Sequence, residues 1–259
     1  MNIKRIISAL TSIKWKYLFP HFSLVLCKKG GKLELEKSVK LFGSRIVINE
    51  DACLCICKGT SLKGCLIQLG KKASMVVGSD CRLANRNIVS GNFYLGQNNY
   101  LMKESFVLIE NESSLKIGNN NRLFCTVWVR FRGGAIIGNY NTINQQSEIR
   151  CDELVSIGDY NQISMSNRIW DTNTHQIFDN VEEYKEHIKT HFPNFNEDIK
   201  PKTEPVIIGN CNWFGESVFL KSSKIGNHNI VGFRTSIINK VIDDDNVITN
   251  CLNYRIKKY

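Results

Sequence analysis

The feature that most constrains this chain is a short phrase that recurs along it at nearly regular intervals. The phrase is IGNNN at 117, IGNYN at 137, IGDYN at 157, IGNCN at 208 and IGNHN at 225. Aliphatic–Gly steps at 69, 77 and 95, and a degenerate copy VIDDDNVI at 241, extend the rhythm in both directions. Several intervals, such as the step from 77 to 95, are 18 residues, which is three sixes. A fixed period of this kind predicts a stack of repeated supersecondary units.

The physical interpretation is a parallel β-solenoid, in which each short strand points aliphatic side chains inward. The corners need residues that tolerate positive φ, and Gly, Asn and Asp supply that. Each coil has an apolar face that it could not bury alone, and it buries this face against the next coil. A propeller or a sandwich would need longer strands and hairpin turns, which the sequence lacks. From about residue 40 to 250 the rhythm predicts roughly ten coils.

The segment PVIIGNCNWFGESVFLKSSKIGNHNIVGFRTSIINKVI, which begins at Pro205, resembles the hexapeptide-repeat acyltransferases. Within that superfamily it is most similar to the sugar and capsular-polysaccharide O-acetyltransferases. Residues 205–215 match the opening of the family's typical run. Residues 236–240 correspond to its S-V-V-T-K step, one residue out of register, and residues 250–258 correspond to its closing segment without the proline. The close match covers about residues 165 to 258, and the upstream half matches in rhythm. The resemblance implies a left-handed β-helix, a homotrimer, and acetyl-CoA bound between subunits as the acyl donor.

We therefore expect an all-β protein built as a left-handed parallel β-helix of hexapeptide repeats. A short N-terminal amphipathic helix and a long lid loop containing a short helix complete it. Residues 1–38 would form the helix and a lead-in segment, and residues 39–259 would form the β-helix acyltransferase domain. Residues 171–205 would form the lid excursion within that domain.

The N-terminal stretch MNIKRIISALTSIKWKYLF differs in character from the repeats. Its aliphatic residues fall at helical spacing, with lysine and arginine elsewhere on the wheel. This helix either caps the fold or rests on an anionic membrane surface as a peripheral contact. No apolar run approaches the roughly 18 residues of a membrane span, and no export signal with a cleavage site is recognisable. We expect a cytoplasmic protein, with the inner face of the cytoplasmic membrane as the alternative location.

The charge balance favours an anionic partner. Lysine and arginine total 34 against 24 acidic residues. Such an excess suits a phosphorylated cofactor, an acidic glycan or a lipid surface. The basic residues are scattered and no nucleic-acid-binding module is recognisable, so nucleic acid is not the expected partner.

The ten cysteines contain no CxxC pair. Cys53, Cys55 and Cys57 alternate, so their side chains share one face of a strand. Neighbours at that spacing do not form a zinc site. We expect reduced thiols that pack as small apolar residues.

The strict repeat stops once, between Ile157 and Ile208, and a histidine stands at the break. One coil accounts for part of this segment, and about 33 residues remain as an excursion. Within it, VEEYKEHIKTHF predicts a short charged helix that ends at Phe192-Pro193-Asn194. Long loops on a rigid scaffold commonly carry function.

In the resembling enzymes, a histidine in the form D-x-x-x-H-x-I just before such an excursion is the catalytic base. Asp171 and His175 match that form. An imidazole with a pKa near 6.5 can take the proton of a sugar hydroxyl as it attacks the thioester, and a backbone N–H can hold the resulting oxyanion. Asp171 would orient the imidazole ring. The alternatives are that Asp171 only shapes the turn and that His175 is a polar loop residue.

The acceptor contacts are expected from Trp213, Asn212, Lys185 and Lys202. By resemblance, Trp213 lines the place where the acetyl group and the acceptor meet, with Asn212 beside it, and core packing is the alternative for Trp213. Lys185 and Lys202 of the excursion offer positive charge to an acidic sugar.

The CoA contacts are expected near the basic end of the coil. Ser236 belongs to the segment that matches the family's S-V-V-T-K step. The basic candidates for the CoA phosphates are Lys240, Arg255, Lys257 and Lys258. A solvated terminus is the alternative explanation, and Lys221 and Lys224 are candidates of lower rank.

No metal is expected. His187 and His191 are four residues apart, the spacing of a metal pair on one helix face, but no third ligand stands at a recognisable distance. The solenoid carbonic anhydrases need three metal histidines, whereas the repeat coils here contribute only His228.

The function favoured by the sequence is O-acetylation of a sugar in a surface glycan, such as a capsule, a lipopolysaccharide or a sialic-acid-containing polymer. One alternative is N-acylation of an aminosugar nucleotide on the same fold. Enzymes of that kind often carry a Rossmann-like domain, and the chain has no G-x-G-x-x-G. A non-catalytic solenoid scaffold is the alternative of a different class.

Overall fold

The computed structural model describes residues 22–193 and 199–250. Over these residues the chain forms a three-sided parallel β-solenoid, in which each strand pairs with the strand three places along the chain. Each of the three sheets contains ten strands, and neighbouring strands run parallel. The all-β parallel β-helix expected from the sequence is therefore confirmed. The predicted N-terminal amphipathic helix lies outside the described residues.

We name the sheets A, B and C in the order in which the chain enters them. Sheet A comprises Leu24–Cys27, Arg45–Ile48, Leu66–Leu69, Arg86–Val89, Phe106–Ile109, Thr126–Val129, Glu148–Cys151, Arg168–Trp170, Phe219–Lys221 and Ser236–Ile238. Sheet B comprises Lys32–Leu35, Cys53–Ile56, Ser74–Val77, Asn92–Leu95, Ser114–Ile117, Gly134–Ile137, Leu154–Ile157, Val206–Ile208, Lys224–Ile225 and Val241–Ile242. Sheet C comprises Lys40–Phe42, Ser61–Lys63, Arg82–Leu83, Tyr100–Leu101, Arg122–Leu123, Thr142–Ile143, Gln162–Ile163, Trp213–Phe214, Ile230–Val231 and Val247–Ile248.

The core of the prism follows from a two-residue alternation within each strand. In Arg45–Ile48, Ile46 and Ile48 are completely buried, whereas Arg45 is exposed and Val47 is half-buried. Parallel pairing stacks equivalent positions, so that Ile46 lies in register with Ile67 on the next coil. Burial of one such aliphatic side chain contributes about 1.5–3 kcal/mol. The apolar columns therefore form one core that runs the length of the solenoid.

The cysteines behave largely as the sequence predicted. Cys53 and Cys55 share the outer face of one strand of sheet B. Cys65 and Cys125 are buried, and burial raises the pKa of each thiol to about 12. These two are therefore neutral at physiological pH and pack as small apolar residues.

The solenoid begins earlier in the chain than the sequence suggested. Leu24–Cys27 already pairs with Arg45–Ile48 in sheet A, and Lys32–Leu35 already belongs to sheet B. The solenoid thus includes described residues that the sequence analysis placed in the lead-in segment. The first coil turns at Gly30 and Ser38, which have φ of 76° and 63°. It lacks the IG-x-x-N phrase, so the periodic signal did not reveal it.

We call the line of corners between sheets B and C the B–C edge, and a ladder of asparagines runs along its interior. Six of them are buried: Asn99, Asn121, Asn141, Asn161, Asn212 and Asn229. Each side-chain Oδ1 accepts the backbone N–H of the next asparagine, at 2.8 Å from Asn161 to Asn141 and 2.9 Å from Asn212 to Asn161. The final N of the IG-x-x-N phrase is therefore a buried hydrogen-bonding residue.

Positive φ along the B–C edge falls on the residue before each ladder asparagine. It occurs at Asn120, as expected, but also at Tyr140 and His228, with φ of 60°, 56° and 54°. The glycine of the phrase is required for a different reason. A Cβ on Gly118 would lie 2.6 Å from the carbonyl oxygen of Gly138 on the next coil. The expectation that Gly, Asn and Asp supply the positive φ is thus wrong at the tyrosine and histidine corners, where the ladder bonds offset the backbone strain.

The excursion contains the one helix of the described residues, α1 (Val181–His191). Asn180 caps it by accepting the backbone N–H of Glu182 at 2.8 Å. The helix ends before Phe192, so the predicted short charged helix is confirmed. None of its residues is buried. No helix within residues 22–193 and 199–250 is long and apolar enough to cross a membrane.

Candidate functional site

The excursion leaves and rejoins the solenoid through a narrow neck. Thr172 and Thr203 form an isolated antiparallel bridge. On either side of it, Asn173 N–H donates to the Lys202 carbonyl at 3.1 Å, and Glu204 N–H donates to the Asp171 carbonyl at 2.9 Å. The two ends of the lid are therefore clamped together at the corner between sheets A and B. We call the line of corners between these two sheets the A–B edge.

Asp171 lies inside this corner and is completely buried. Its carboxylate accepts three backbone N–H groups, from Asp152 at 2.8 Å, Glu153 at 2.7 Å and Leu154 at 2.8 Å. Burial raises the pKa of the Asp171 carboxyl, and the three N–H groups oppose that rise. Both carboxylate oxygens of Asp171 are thus hydrogen-bonded to the backbone of the preceding coil.

The expected orienting bond from Asp171 to the imidazole is not formed among the described residues. The hydrogen bonds of Asp171 correspond to the alternative that this residue shapes the turn. The physical reason is position: the side chain points into the corner, whereas His175 stands outside on the neck and is exposed.

A buried ion pair supports the segment that carries His175. Arg130 and Asp152 are 1% and 0% exposed. Nε and Nη2 of Arg130 donate to the two carboxylate oxygens of Asp152 at 2.8 and 2.7 Å. Nη2 also lies 3.5 Å from the carbonyl oxygen of Thr174, the residue before His175. Thr174 itself has φ of 68°, and its N–H donates to Thr172 Oγ1 at 3.0 Å.

Sequence reasoning missed Arg130 and Asp152. One signal could have revealed them, since both directly follow sheet A strands, in VWVRF and EIRCD, and so occupy corner positions of adjacent coils. A charged residue at a corner is usually solvated, so the pattern alone gave no reason to expect burial.

The A–B edge also carries two of the candidate cofactor residues. Lys221 ends a strand of sheet A, and its ammonium donates to the side-chain oxygen of Asn173 in the neck. Lys240 lies one coil further along the same edge, where its carbonyl accepts Lys224 N–H at 2.9 Å. Ser236 is exposed on the outer face of sheet A, beside Phe219 in the register. These residues and the base of the lid therefore share one side of the prism.

Asn212 is a member of the asparagine ladder and is 1% exposed. Its Nδ2 donates to Asn161 Oδ1 and to the Gly226 carbonyl, both at 3.0 Å, and its Oδ1 accepts Asn229 N–H at 2.8 Å. All the polar groups of its side chain are engaged in the corner. The described hydrogen bonds give Asn212 a structural role in the ladder, and its contact with the acceptor stays a prediction.

Trp213 lies on sheet C, half-buried, and its ring packs edge-on against Phe233 with centroids 5.6 Å apart. His175 leaves the prism from the A–B edge. Within the described part of the chain no hydrogen bond or ring contact joins Trp213 to His175, and the two residues belong to different sides of the prism.

The other candidates occupy exposed positions. Lys185 lies on α1 and pairs with Glu182 at 2.8 Å. Lys202 stands at the neck, with its ammonium 3.7 Å from the Glu204 carboxylate. Arg255, Lys257 and Lys258 lie outside the described residues. Neither Lys185 nor Lys202 is held rigidly, because exposed ion pairs of this kind are weak.

The two lid histidines contact each other, with His187 and His191 ring centroids 4.1 Å apart. Nδ1 of His191 lies 2.8 Å from the carbonyl oxygen of His187. Over residues 22–193 and 199–250 no group of three or more His, Cys, Asp or Glu side chains is arranged to hold a metal ion.

The outer face of sheet A carries a column of aromatic and basic side chains next to the neck. Trp128, Arg150, Trp170 and Lys221 are register partners on four consecutive strands. Sequence reasoning did not identify this column. The signal was available, since the first three residues occupy the same outward position of the strands TVWV, EIRC and RIW.

No protein-family model matches the chain, and no curated protein matches it in sequence. Several solved structures are similar to it, among them two acetyltransferases. One is the polySia-specific acetyltransferase NeuO, which is 15% identical with a TM-score of 0.47, over 86% of this chain and 80% of that protein. The other is the polysialic acid O-acetyltransferase OatWY, which is 19% identical with a TM-score of 0.39, over 85% of this chain and 82% of that protein. At these identities neither comparison assigns a role to a residue of this chain.

Proposed function

We propose that this protein is an O-acetyltransferase that transfers acetyl from acetyl-CoA to a hydroxyl of a sugar in a surface glycan, with His175 as the general base. The observation that carries the proposal is the placement of His175. It stands on the clamped neck of the long excursion from the described solenoid, in the D-x-x-x-H-x-I form of the resembling enzymes. A non-catalytic scaffold would not need this neck or its buried support.

The neck geometry suits a general base. The imidazole must be exposed to receive a substrate, and His175 is exposed. It must also be held in place, and the backbone on its N-terminal side is fixed by Arg130 and by the Thr172 hydroxyl. Positioning of this kind accounts for much of the rate that acid–base groups provide.

The reaction is a direct transfer. The His175 imidazole takes the proton of the sugar hydroxyl while the hydroxyl oxygen attacks the thioester carbonyl. The tetrahedral oxyanion collapses, the carbon–sulfur bond breaks, and the CoA thiolate leaves. The protonated imidazole returns its proton to that sulfur. Because the sugar oxygen itself attacks the thioester, no covalent intermediate forms on the enzyme. Backbone N–H groups of a neighbouring coil are the donors that would hold the oxyanion.

The donor side fits the A–B edge. Lys221 and Lys240 lie on successive coils of that edge, on the C-terminal side of the point where the lid leaves. Their ammonium groups suit the phosphates of CoA. Ser236 on the adjoining face of sheet A is a further proposed contact. A cytoplasmic location goes with this proposal, because the donor is an intracellular thioester.

The acceptor side is assigned to the lid, through Lys185 and Lys202, and to Trp213. Because Trp213 and His175 lie on different sides of one prism, the proposal needs a second subunit to bring them together. The homotrimer implied by the sequence resemblance, with sites between subunits, would supply that subunit.

A CoA-release assay tests the proposed function. Purified protein is incubated with acetyl-CoA and a panel of neutral, acidic and lipid-linked glycans, and the products are analysed by mass spectrometry. The expected result is CoA release that depends on an acceptor, with the acetyl group found as an ester on a hydroxyl. Acetyl found on an amine would support N-acylation instead. A protein that neither binds acetyl-CoA nor releases CoA with any acceptor would contradict the proposal.

A further inference from the structure

The column of Trp128, Arg150 and Trp170 on sheet A holds a guanidinium group in a fixed orientation. The central carbon of the Arg150 guanidinium lies 4.5 Å from the ring centroid of Trp128 and 5.5 Å from that of Trp170. Arg82, Arg86 and Arg122 on the outer faces of the described solenoid each lie over one aromatic ring, whereas the buried Arg130 lies over Trp128 and Phe131. Contact with an indole on each side restricts the plane of the guanidinium and removes water from its faces.

Arg150 has fewer polar contacts than its burial would lead one to expect. Its side chain is 15% exposed, and the nearest acid is Glu148, whose Oε1 lies 3.2 Å from Nε. Among the described residues, Nε1 of Trp170 is buried without a hydrogen-bond partner, and Nε of Arg150 is buried with the Glu148 carboxylate as its ion-pair partner but without a hydrogen bond of good geometry. Buried donors without partners are unfavourable and rare in native proteins. The stability of the coil therefore does not explain this column.

The surroundings of Arg150 are suited to a bound chain. A groove of about 460 Å³ is lined by residues that include Thr126, Arg168 and two glutamates, Glu104 and Glu148. On the other side, the backbone carbonyl of Arg150 accepts the N–H of Asp171, at the start of the neck. Arg150 is thus connected to the groove through Glu148 and to the segment that carries His175 through its backbone carbonyl.

We propose that Arg150, held between Trp128 and Trp170, binds a carboxylate of the acceptor glycan. This inference rests on the proposed acetyl transfer to a sugar and specifies the acceptor as an acidic one. A planar guanidinium presents parallel N–H donors that match the two oxygens of a carboxylate. An acidic sugar bound there lies next to the neck. A phosphate group would use the same donors, so the test includes CoA, which carries phosphates, beside the acidic sugars.

Direct binding tests the inference without any acetyl transfer. The full chain is titrated with tetramers of glucuronic acid and of N-acetylneuraminic acid, with their methyl esters, and with CoA. The variants are Arg150→Gln and a matched control, Arg86→Gln, which removes an exposed arginine on the same sheet. Arg150→Gln and esterification should each weaken the binding of at least one tetramer by about 10–100-fold. CoA affinity and the control should stay within about twofold of wild type.

Several outcomes would overturn the inference. They are equal binding of acid and ester, no binding of either tetramer, and an unchanged affinity in Arg150→Gln. Weaker binding of CoA alone would assign the site to a phosphate. If Arg150→Gln does not fold, Arg150→Lys decides: it keeps the charge but loses the paired donors, and it should bind the acid about tenfold more weakly. Loss of acetyl transfer with intact tetramer binding would count against the proposed function and not against this site.

Discussion

The two edges of the same prism, the B–C edge and the A–B edge, differ in how strictly they repeat. Along the B–C edge, coil after coil presents the same buried asparagine with the same hydrogen bonds. Along the A–B edge the residues change from coil to coil, from an exposed pair such as Lys71 and Glu50 to the buried pair Arg130 and Asp152. The lid leaves from this second edge.

The continuity of the asparagine ladder shows how the fold accommodates the lid. Asn161 and Asn212 are 51 residues apart in sequence, yet their hydrogen bond of 2.9 Å is equivalent to the 2.8 Å bonds between asparagines on uninterrupted coils. The ladder therefore passes the insertion without a change in register. Because the B–C edge keeps its register, the A–B edge can depart from the repeat. Its departures include His175, the buried ion pair and Lys221.

The largest expected difference between the edges is in catalysis. His175→Ala should lower kcat by about 10²–10⁴, the usual contribution of a general base. His228→Ala is the matched control, because it removes an exposed histidine from the B–C edge, where His228 pairs with Asp245 at 2.7 Å. It should change kcat less than twofold, since exposed pairs contribute about 0–1 kcal/mol. Both are measured by CoA release. More than about a third of the activity remaining in His175→Ala would contradict the assignment.

A second comparison uses two arginines of the A–B edge. Arg130→Met leaves the buried Asp152 carboxylate without its ion-pair partner, which costs about 3–5 kcal/mol of unfolding free energy. Arg132→Met removes an exposed residue that pairs with Glu112, and the change should be below about 1 kcal/mol. Urea unfolding measures both. If the two variants were equally stable, the ion pair beneath the neck would not support the corner as described.

The ladder itself provides a smaller effect on the B–C edge. Asn161→Ala leaves the N–H of Asn212 and the carbonyl of Gly209 without their side-chain partner, for a loss of about 2–3 kcal/mol. Asn92→Ala, on an exposed position of sheet B, is the control and should cost less than about 0.5 kcal/mol. Thermal and urea unfolding report the difference. A loss of similar size in both variants would mean that the ladder has no special role.

The lid should contribute least to stability and most to the choice of acceptor. Replacing residues 180–200 with a short Gly/Ser linker removes α1, which buries none of its residues, and leaves every strand in place. The unfolding free energy should change by less than about 1 kcal/mol, because no core residue is lost. kcat/KM for the acceptor should fall about tenfold or more, since positioning is lost. CoA affinity, measured by calorimetry, should be retained. Loss of CoA binding with normal acceptor kinetics would reverse these roles.

Much of the fold was predictable from the sequence because the same residue types are required at the same positions of successive coils. The Gly in IG is required where two backbones approach, and the final asparagine is required by the ladder, so both recur at fixed spacing. The break in that spacing located the lid, and the pattern VEEYKEHIKTHF predicted α1. The first coil was missed because it turns through residues that do not follow the phrase.

The candidate site was predictable only in part. The sequence pointed to His175 and left two roles open for Asp171, whereas the stacking of coils shows that the Asp171 carboxylate binds three backbone N–H groups. It also buries Asn212, which the family resemblance alone had placed at the acceptor.

What the sequence by itself determined is the period, and with it the solenoid, the core columns and the place where the chain leaves them. What only the tertiary structure decided is which residues of different coils meet. Arg130 reaches the carbonyl of Thr174, 44 residues away, and Arg150 lies between Trp128 and Trp170. The physical reason is that a repeat encodes contacts within one coil and between identical positions of adjacent coils. A contact between unlike side chains on different coils, such as that of Arg130 with the neck, depends on how far each side chain extends and on whether the corner around it is closed to water.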